Sequence, residues 1–190
     1  MVVKLMVEFI QRNWKYVKYL FWHKAYVYQA GRITGAPLYR LIIHDWSKLM
    51  PQEWFPYMNF FYPTKAQVDI EAAKKYGDAR YAKELGAATP DRKLAFRLAF
   101  NHHLHWNKHH WQYWAISSDD GKTRAQEIPE IYIREMVADW YGAGKGISGK
   151  WDADAWYLQH KDMLLAPKTR RRVEELLKST AEVLRANGQT

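Results

Sequence analysis

The sequence predicts an all-α protein that forms a single domain. Apolar residues recur at helical spacing, proline and glycine separate the periodic segments, and no stretch shows strand-like alternation of useful length. The chain has 190 residues, which is long enough to bury a core without disulfide bonds. Because no repeat is visible along the chain, we expect a helical bundle and not a solenoid.

The first half of the chain contains three predicted helices and one charged segment. The first helix is expected from Lys4 to Gly31, and the second begins near Pro37 and is interrupted at Pro51. The buried stripe of the first helix contains Tyr16, Leu20, His23, Val27 and Ala30. The apolar face of the second contains Leu38, Leu41, Ile42, Asp45 and Leu49. A short aromatic helix over 53–61 follows, and the charged residues 64–88 are expected to form a more exposed helical excursion.

The second half of the chain begins with a strong helix start at Thr89-Pro90-Asp91, and this helix should run to about Trp106. A turn is expected over 119–122, and another helix opens at Pro129. The glycines expected to end that helix are Gly142, Gly144 and Gly146. Helices over 152–164 and 167–187 complete the predicted fold.

The composition restricts both the kind of site and the kind of protein. The chain contains no cysteine, which excludes disulfide scaffolds, thiolate zinc sites and cysteine nucleophiles. A metal ion would have to be bound by histidine, aspartate or glutamate. The apolar stretches are shorter than the ~20 residues that span a bilayer, and the N-terminus lacks the pattern of a signal peptide. We expect a soluble, cytoplasmic protein with no membrane partner.

Two aspartates stand on predicted apolar helix faces. A carboxylate buried without a partner costs several kcal/mol, so Asp45 must meet a metal ion or a basic side chain. Asp139 repeats the pattern, and Glu135, one turn earlier, is open to three interpretations: a hydrogen-bond acceptor behind a ligand, a ligand, or a surface residue. By itself, neither the dipeptide His44-Asp45 nor the lone His23 is strong evidence for metal binding.

Histidines are concentrated near the end of the predicted helix that reaches Trp106. The five clustered residues are His102, His103, His105, His109 and His110. The cluster favours metal or phosphate chemistry, although aromatic contacts can also use histidine as a filler. Helical geometry does not decide between His102 and His103, or between His109 and His110.

In chain order these residues give the pattern H…HD…H…H…D, which resembles the HD-domain superfamily of metal-dependent phosphohydrolases. The resemblance runs from about His23 to Tyr141, and Asp45-Trp46-Ser47-Lys48 is similar to the HDxxK variant of that superfamily. A closer resemblance, over nearly the whole chain, is to an uncharacterised family of bacterial and phage HD-type proteins. The segments that carry it are HDWSKLMPQEWFPY, NKHHWQYW, REMVADWYGAG and TRRRVEELL.

The resemblance implies an HD-type helical fold and a metal site. The first metal would be bound by His23, His44, Asp45 and Asp139. One of His102 or His103, together with one of His109 or His110, could join a second ion bridged by Asp45. These ligand types suit Mn, Co, Ni, Fe or Zn, as one or two ions. A one-metal site, with cluster histidines contacting phosphate or acting as an acid, is an equal alternative. The residues expected to act in catalysis are Lys48, Glu53, His109 and His110.

The function expected from this pattern is metal-dependent hydrolysis of a small phosphorylated substrate, with a nucleotide favoured. The formal charge of +9 is consistent with an anionic substrate. One alternative is an HD-type di-iron oxygenase, which uses the same ligand order. Another is a binding protein for a nucleotide or single-stranded nucleic acid, without catalysis, although a nucleic acid is the less favoured partner. A homo-oligomer is compatible with the sequence.

Overall fold

A computed structural model of the chain describes residues 2–75 and 91–189. Most of these residues are helical, which confirms the all-α prediction at the level of class. The α-helices in the described ranges are α1 (Val2–Thr34), α2 (Leu38–Ile43), α3 (Pro51–Phe61), α4 (Lys65–Lys75), α5 (Arg92–Trp106), α6 (Glu130–Ser148), α7 (Ala153–Leu158) and α8 (Pro167–Ala186). Two 3₁₀ helices span Trp46–Leu49 and Trp111–Trp114. Among these described helices, none combines the length and the hydropathy that crossing a bilayer requires.

The described residues group into two compact units. The first unit takes the described residues of Met1–Lys18 and Ser47–His103, and the second takes those of Tyr19–Trp46 and Leu104–Thr190. The single-domain organisation therefore stays a prediction.

The second unit contains a well-defined apolar core. Helix α6 packs against α7 and α8, and Tyr141 of α6 donates a hydrogen bond to the Leu177 carbonyl over 2.9 Å. The second half of α1 joins this core through Val27 and Ala30, both fully buried. The predicted stripe on the first helix is thereby confirmed at these two positions.

In the first unit, aromatic packing and two arginines hold α1, α3, α4 and α5. Trp54 of α3 packs edge-on against Tyr16, with ring centroids 4.9 Å apart. Arg92 of α5 pairs with both oxygens of Glu71 over 2.7 Å and donates to the Phe60 carbonyl. Arg12 donates to the Tyr62 carbonyl and to Asn59.

The structure also contains two short strands that the sequence did not predict. The structure contains a small antiparallel pair, β1 (Ala115–Ser117) and β2 (Thr123–Ala125), in which Ile116 lies opposite Arg124. Strands of three residues are too short for alternation to be visible in the sequence. The predicted turn over 119–122 is present between them, with Gly121 at a φ of 73°.

The second predicted helix is shorter than expected, and this matters for the site. Helix α2 ends at Ile43, so His44 and Asp45 lie in the turn before the 3₁₀ helix and not on a continuous helix face. Asp45 has a φ of 56°, which places it in the left-handed region. Aspartate tolerates this conformation better than most residues because its short side chain can hydrogen-bond locally.

Helix α6 is longer than predicted, because its glycines serve packing and do not end it. It runs to Ser148, and Gly149, with a φ of 78°, terminates it. A Cβ atom at Gly142 would lie 2.6 Å from the backbone nitrogen of Val27. The glycine thus permits a close approach of α6 to α1 within the second unit.

Helix α7 is also shorter than expected, and two other predicted segments lie partly outside the described residues. Helix α7 covers only Ala153–Leu158 of the range expected over 152–164. Asp91 caps α5 by accepting from the backbone N–H groups of Lys93 and Leu94, while Thr89 and Pro90 lie outside the described residues. Of the excursion expected over 64–88, α4 is described and residues 76–88 lie outside the described ranges.

Candidate metal centre

Four side chains predicted as metal ligands meet inside the second unit. They are His23, His44, Asp45 and Asp139, and we refer to them as the His–Asp cluster. One ligand atom from each lies within 4.8 Å of the others, and all four residues are buried. Three separate elements supply them: α1, the turn after α2, and α6.

Local folding explains why each element presents its ligand inward. His23 lies one turn before Val27 on the stripe of α1 that packs into the core, and it is 4 % exposed. Asp139 lies on α6 beside the fully buried Ala138. The left-handed turn at Asp45 lets two adjacent residues, His44 and Asp45, both reach the same point, which a regular helix would not allow.

The distances within the His–Asp cluster match the edges of a coordination polyhedron. Nε2 of His23 lies 3.2 Å from Asp45 Oδ2 and 3.3 Å from Asp139 Oδ1. Nε2 of His44 lies 3.5 Å and 3.4 Å from the same two oxygens. Ligands that bind a metal at about 2.1 Å stand about 3.0 Å apart in an octahedron and about 3.4 Å apart in a tetrahedron.

A buried nitrogen also fits a bound cation. Nε2 of His44 makes no hydrogen bond among the described residues, although the two carboxylates face it. Contacts of 3.4 and 3.5 Å exceed the usual N–H···O length of about 2.7 to 3.2 Å. The buried groups could hold a metal ion, and the mixture of imidazole and carboxylate ligands suits a divalent transition metal.

Glu135 orients the His44 ring from behind. Its Oε1 lies 3.1 Å from Nδ1 of His44, and its Oε2 accepts from Arg40 Nε over 2.7 Å. A histidine that donates one ring N–H to a carboxylate presents the other nitrogen in a fixed direction. Of the three interpretations open for Glu135, full burial excludes the surface residue. The carboxylate accepts a hydrogen bond from Arg40, and one of its oxygens lies within 4.8 Å of ligand atoms of His44 and His109.

His109 extends the same arrangement. Its Nε2 lies 3.4 Å from Asp45 Oδ1 and 3.7 Å from Asp139 Oδ2, and its Nδ1 lies 3.4 Å from Glu135 Oε1. Each aspartate therefore turns one oxygen toward His23 and His44 and the other toward His109. The ring of His110 lies against that of His109, with centroids 4.2 Å apart and the two planes tilted by 39°. The sequence left His109 and His110 unresolved, and the structure buries His109 fully and His110 only in part.

The charges of the centre are strongly coupled. Burial disfavours the imidazolium of His44, but Asp45, Asp139 and Glu135 outweigh it and raise the pKa to about 10. Burial acts against the charged form of Asp139 as well, yet His44 and His23 hold its pKa below the usual value. The pKa of His109 is lowered by burial and by the neighbouring His110 and His44, so its neutral ring is available as a ligand.

In the first unit, Glu53 joins two of the clustered histidines. Its carboxylate, fully buried, lies 2.7 Å from His102 Nδ1 and 2.8 Å from His103 Nδ1. Ser47 donates to it over 2.9 Å. Burial raises the pKa of Glu53, but His103, His102 and Ser47 together lower it. The expected roles of these residues in metal binding and catalysis stay predictions.

Lys48, which we expected to contact phosphate, is a buried residue. It is 7 % exposed, and its Nζ lies 5.7 Å from the Tyr57 ring centre, within the first unit. The predicted contact of Lys48 with phosphate remains untested.

Most of the aromatic side chains that could stack on a nucleotide base serve packing in the structure. Tyr57 is buried, Trp54 donates to Asn13 over 2.8 Å, and Trp111 and Trp114 pack against the core of the second unit. Trp46, by contrast, is 41 % exposed and packs edge-on against Trp106.

Arg40 is a residue of the centre that the sequence reasoning missed. Its guanidinium pairs with Glu135 and lies 4.9 Å from the Tyr132 ring centre. A signal was present, since Arg40 precedes His44 by four residues and the two fall on the same side of a helical turn.

Comparison with known proteins gives a family but no activity. Residues 12–179 match a family of unknown function, DUF5662. No curated protein and no solved structure matches the chain. The chain therefore belongs to DUF5662, and all four residues of the His–Asp cluster lie within the matched region.

Proposed function

We propose that this protein is a metal-dependent phosphohydrolase of the HD-domain type that acts on a small phosphorylated substrate, with a nucleotide as the favoured class. The observation that carries the proposal is the His–Asp cluster, in which two imidazole nitrogens each lie 3.2 to 3.5 Å from the same two carboxylate oxygens. The chain order of these ligands supports the HD-type assignment.

The orientation of the Asp45 carboxylate supports a site for a second ion beside the first. Asp45 directs Oδ2 to His23 and Oδ1 to His109, and ligand atoms of Asp45, His109 and His110 lie within 4.8 Å of one another. An aspartate that offers its two oxygens to different histidines could hold one or two divalent ions. His109 is better suited to ligation than to proton donation, because its pKa is lowered and its ring is neutral.

A bound divalent metal lowers the pKa of a coordinated water toward ~7 and neutralises charge on a phosphoryl oxygen. The side chains of the protein bind the ion, orient its ligands and supply a proton. Asp45 and Asp139 would hold the ion, and Glu135 keeps Nε2 of His44 directed toward these two carboxylates. We assign proton donation to the leaving group to His110, whose ring is only half-buried.

The charge of the chain supports an anionic substrate. The chain carries 29 lysines and arginines against 20 acidic residues, so its field attracts anions. Lys48, three residues after Asp45, is proposed to hold the phosphate, and Glu53 to orient water through its carboxylate. A nucleotide also offers a base for the exposed face of Trp46.

The test is hydrolysis by the purified full chain, loaded with Mn, Co or Ni, over a panel of nucleotides. We expect release of phosphate, diphosphate or nucleoside from at least one member, and loss of that release in Asp139→Asn. Asp154→Asn is the matched control, because Asp154 pairs with Arg185 at the surface of the second unit. The proposal fails if no member of the panel is hydrolysed with any of the metals.

A di-iron oxygenase is the second candidate, and the sharing of Asp45 and Asp139 between His44 and His109 is the observation that favours it. Anaerobic loading with iron followed by electron paramagnetic resonance distinguishes the two. A mixed-valent iron pair together with an inactive nucleotide panel would replace the phosphohydrolase with the oxygenase.

A further inference from the structure

The N-terminal part of α1 presents an apolar face to solvent. The residues of this apolar stripe are Val3, Met6, Val7, Ile10, Trp14 and Val17. Their exposed fractions run from 38 % for Val17 to 69 % for Val3, so the first unit does not cover them. At 100° per residue the six side chains fall within a sector of about 100° that continues along about four turns of the helix.

A row of lysines runs beside the apolar stripe. Lys4, Lys15 and Lys18, which we call the lysine flank, occupy the next sector of about 60° on one side. All three are exposed, and Nζ of Lys18 lies 5.4 Å from the Trp14 ring centre. Glu8 is the single acidic residue of the first 18, and the remaining cation, Arg12, is engaged with Tyr62 and Asn59.

The charge of the flank determines which partner fits the stripe. Two copies of the chain packed stripe against stripe would bring few opposite charges together, because the segment offers three lysines on the flank and Glu8 as its single acid. An anionic lipid surface complements both features, since headgroups attract the lysines and the acyl boundary accepts the apolar side chains. Trp14 has the amphipathic ring that favours the interface between them.

We propose that the first 18 residues of α1 bind the protein peripherally to anionic membranes, with the apolar stripe lying in the headgroup region. This mode needs no spanning segment, and none occurs among the described helices. It revises the expectation of no membrane partner, which rested on the length of apolar stretches and could not show which side chains stay exposed. The inference is independent of the proposed hydrolase activity.

The experiment is co-sedimentation of the full chain with vesicles of phosphatidylcholine, with and without phosphatidylglycerol, at low and high salt. Binding is expected only to the anionic vesicles and should fall with salt. Ile10→Glu combined with Trp14→Glu should weaken it by at least about tenfold, and Lys15→Gln combined with Lys18→Gln by about tenfold.

Matched controls lie on the second unit. Ile147→Glu changes a residue that is 77 % exposed, and Lys150→Gln combined with Lys161→Gln removes two exposed lysines. These variants should bind like the wild type, and circular dichroism should show equal helicity in all proteins. Equal binding by stripe and control variants, or no binding to anionic vesicles, overturns the proposal. A dimer that Ile10→Glu dissociates, without any vesicle binding, assigns the stripe to a second copy instead.

Discussion

Nδ1 of His44 lies 3.1 Å from Oε1 of Glu135, and this hydrogen bond directs Nε2 of the same ring toward Asp45 and Asp139. Arg40 holds the other Glu135 oxygen at 2.7 Å. The direction of a ligand is thus fixed by a carboxylate that is itself fully buried and paired.

We expect Glu135→Gln to lower metal affinity by about 10- to 100-fold, the usual effect of removing a carboxylate behind a ligating histidine. Competition with a chromophoric chelator measures this directly. Glu130→Gln is the control, since Glu130 lies on the same helix and pairs with Arg172 at the surface. An affinity unchanged in Glu135→Gln would show that the hydrogen bond is structural only.

Removal of a carboxylate ligand should prevent the protein from retaining a metal ion. Asp139→Ala is expected to purify with less than about a tenth of the wild-type metal content. The substitution removes one of the two carboxylate oxygens that His23 and His44 both face. Elemental analysis of protein purified under identical conditions gives the answer, with Asp154→Ala as the reference. Equal metal content in wild type and Asp139→Ala would remove the central claim about this site.

Metal binding should compete with a proton on His44. The metal-free ring has a pKa of about 10, raised above 6.5 by the carboxylates around it, so it is charged at neutral pH and must lose its proton to bind an ion. Metal affinity is therefore expected to rise with pH across the range from 6.5 to about 10.

The stability of the metal-free protein should move in the opposite direction. A raised folded-state pKa stabilises the fold fully below pH 6.5, and this stabilisation is lost as the pH rises toward 10. Thermal melts in chelator should show the fall, and titrations in buffers of different ionisation enthalpy should show proton release on binding. Release of no proton would contradict the assignment of His44 as a ligand.

Gly142 sets the separation of two helices that each carry a ligand. An alanine Cβ there would lie 2.6 Å from the Val27 nitrogen, one turn beyond His23, so Gly142→Ala must push α1 and α6 apart. Overpacking costs about 1 to 3 kcal/mol, and we expect a lower melting temperature together with weaker metal binding.

Gly146→Ala is the matched control for this substitution. Its nearest neighbour would be Cδ2 of Tyr26 at 3.9 Å, so the added methyl fits and alanine should stabilise the helix by up to about 1 kcal/mol. Gly142→Ala and Gly146→Ala melting alike would show that the close approach at residue 142 is not limiting.

Glu53 should matter for the stability of the first unit. Glu53→Gln removes the charge that accepts from Ser47, His102 and His103, and we expect a loss of about 2 kcal/mol. Because the pKa of Glu53 is lowered from 4.5, its contribution is present above pH 4.5 and is lost as the pH falls further. Urea unfolding at neutral pH tests this against the exposed Glu182→Gln, and equal midpoints would count against it.

The sequence predicted the helical class and the residues of the His–Asp cluster because both depend on local signals. Helical spacing placed His23 and Asp139 on buried faces, and the structure confirms that these faces are buried. The ligand pattern came from chain order and resemblance, which need no knowledge of distances.

Features that depend on tertiary contacts could not be predicted in the same way. The turn at Asp45 could not be predicted, because the spacing of apolar residues from 38 to 49 is that of a continuous helix face. In the structure three of these residues are exposed: Leu38, Ile42 and Leu49. Gly142 was predicted to end its helix, because its contact with Val27 joins residues that are far apart in the sequence. The hydrogen bond between Glu135 and His44 joins residues 91 positions apart.

Position 45 carries two independent requirements, one for its backbone and one for its oxygens. At a φ of 56° glycine and asparagine meet the first requirement, and a β-branched residue does not. A saturation library at this codon, scored once for soluble expression and once for metal retention, should therefore return two different sets of permitted amino acids. Aspartate belongs to both sets, and glycine and asparagine only to the first, so folding and ligation can be separated genetically at one residue.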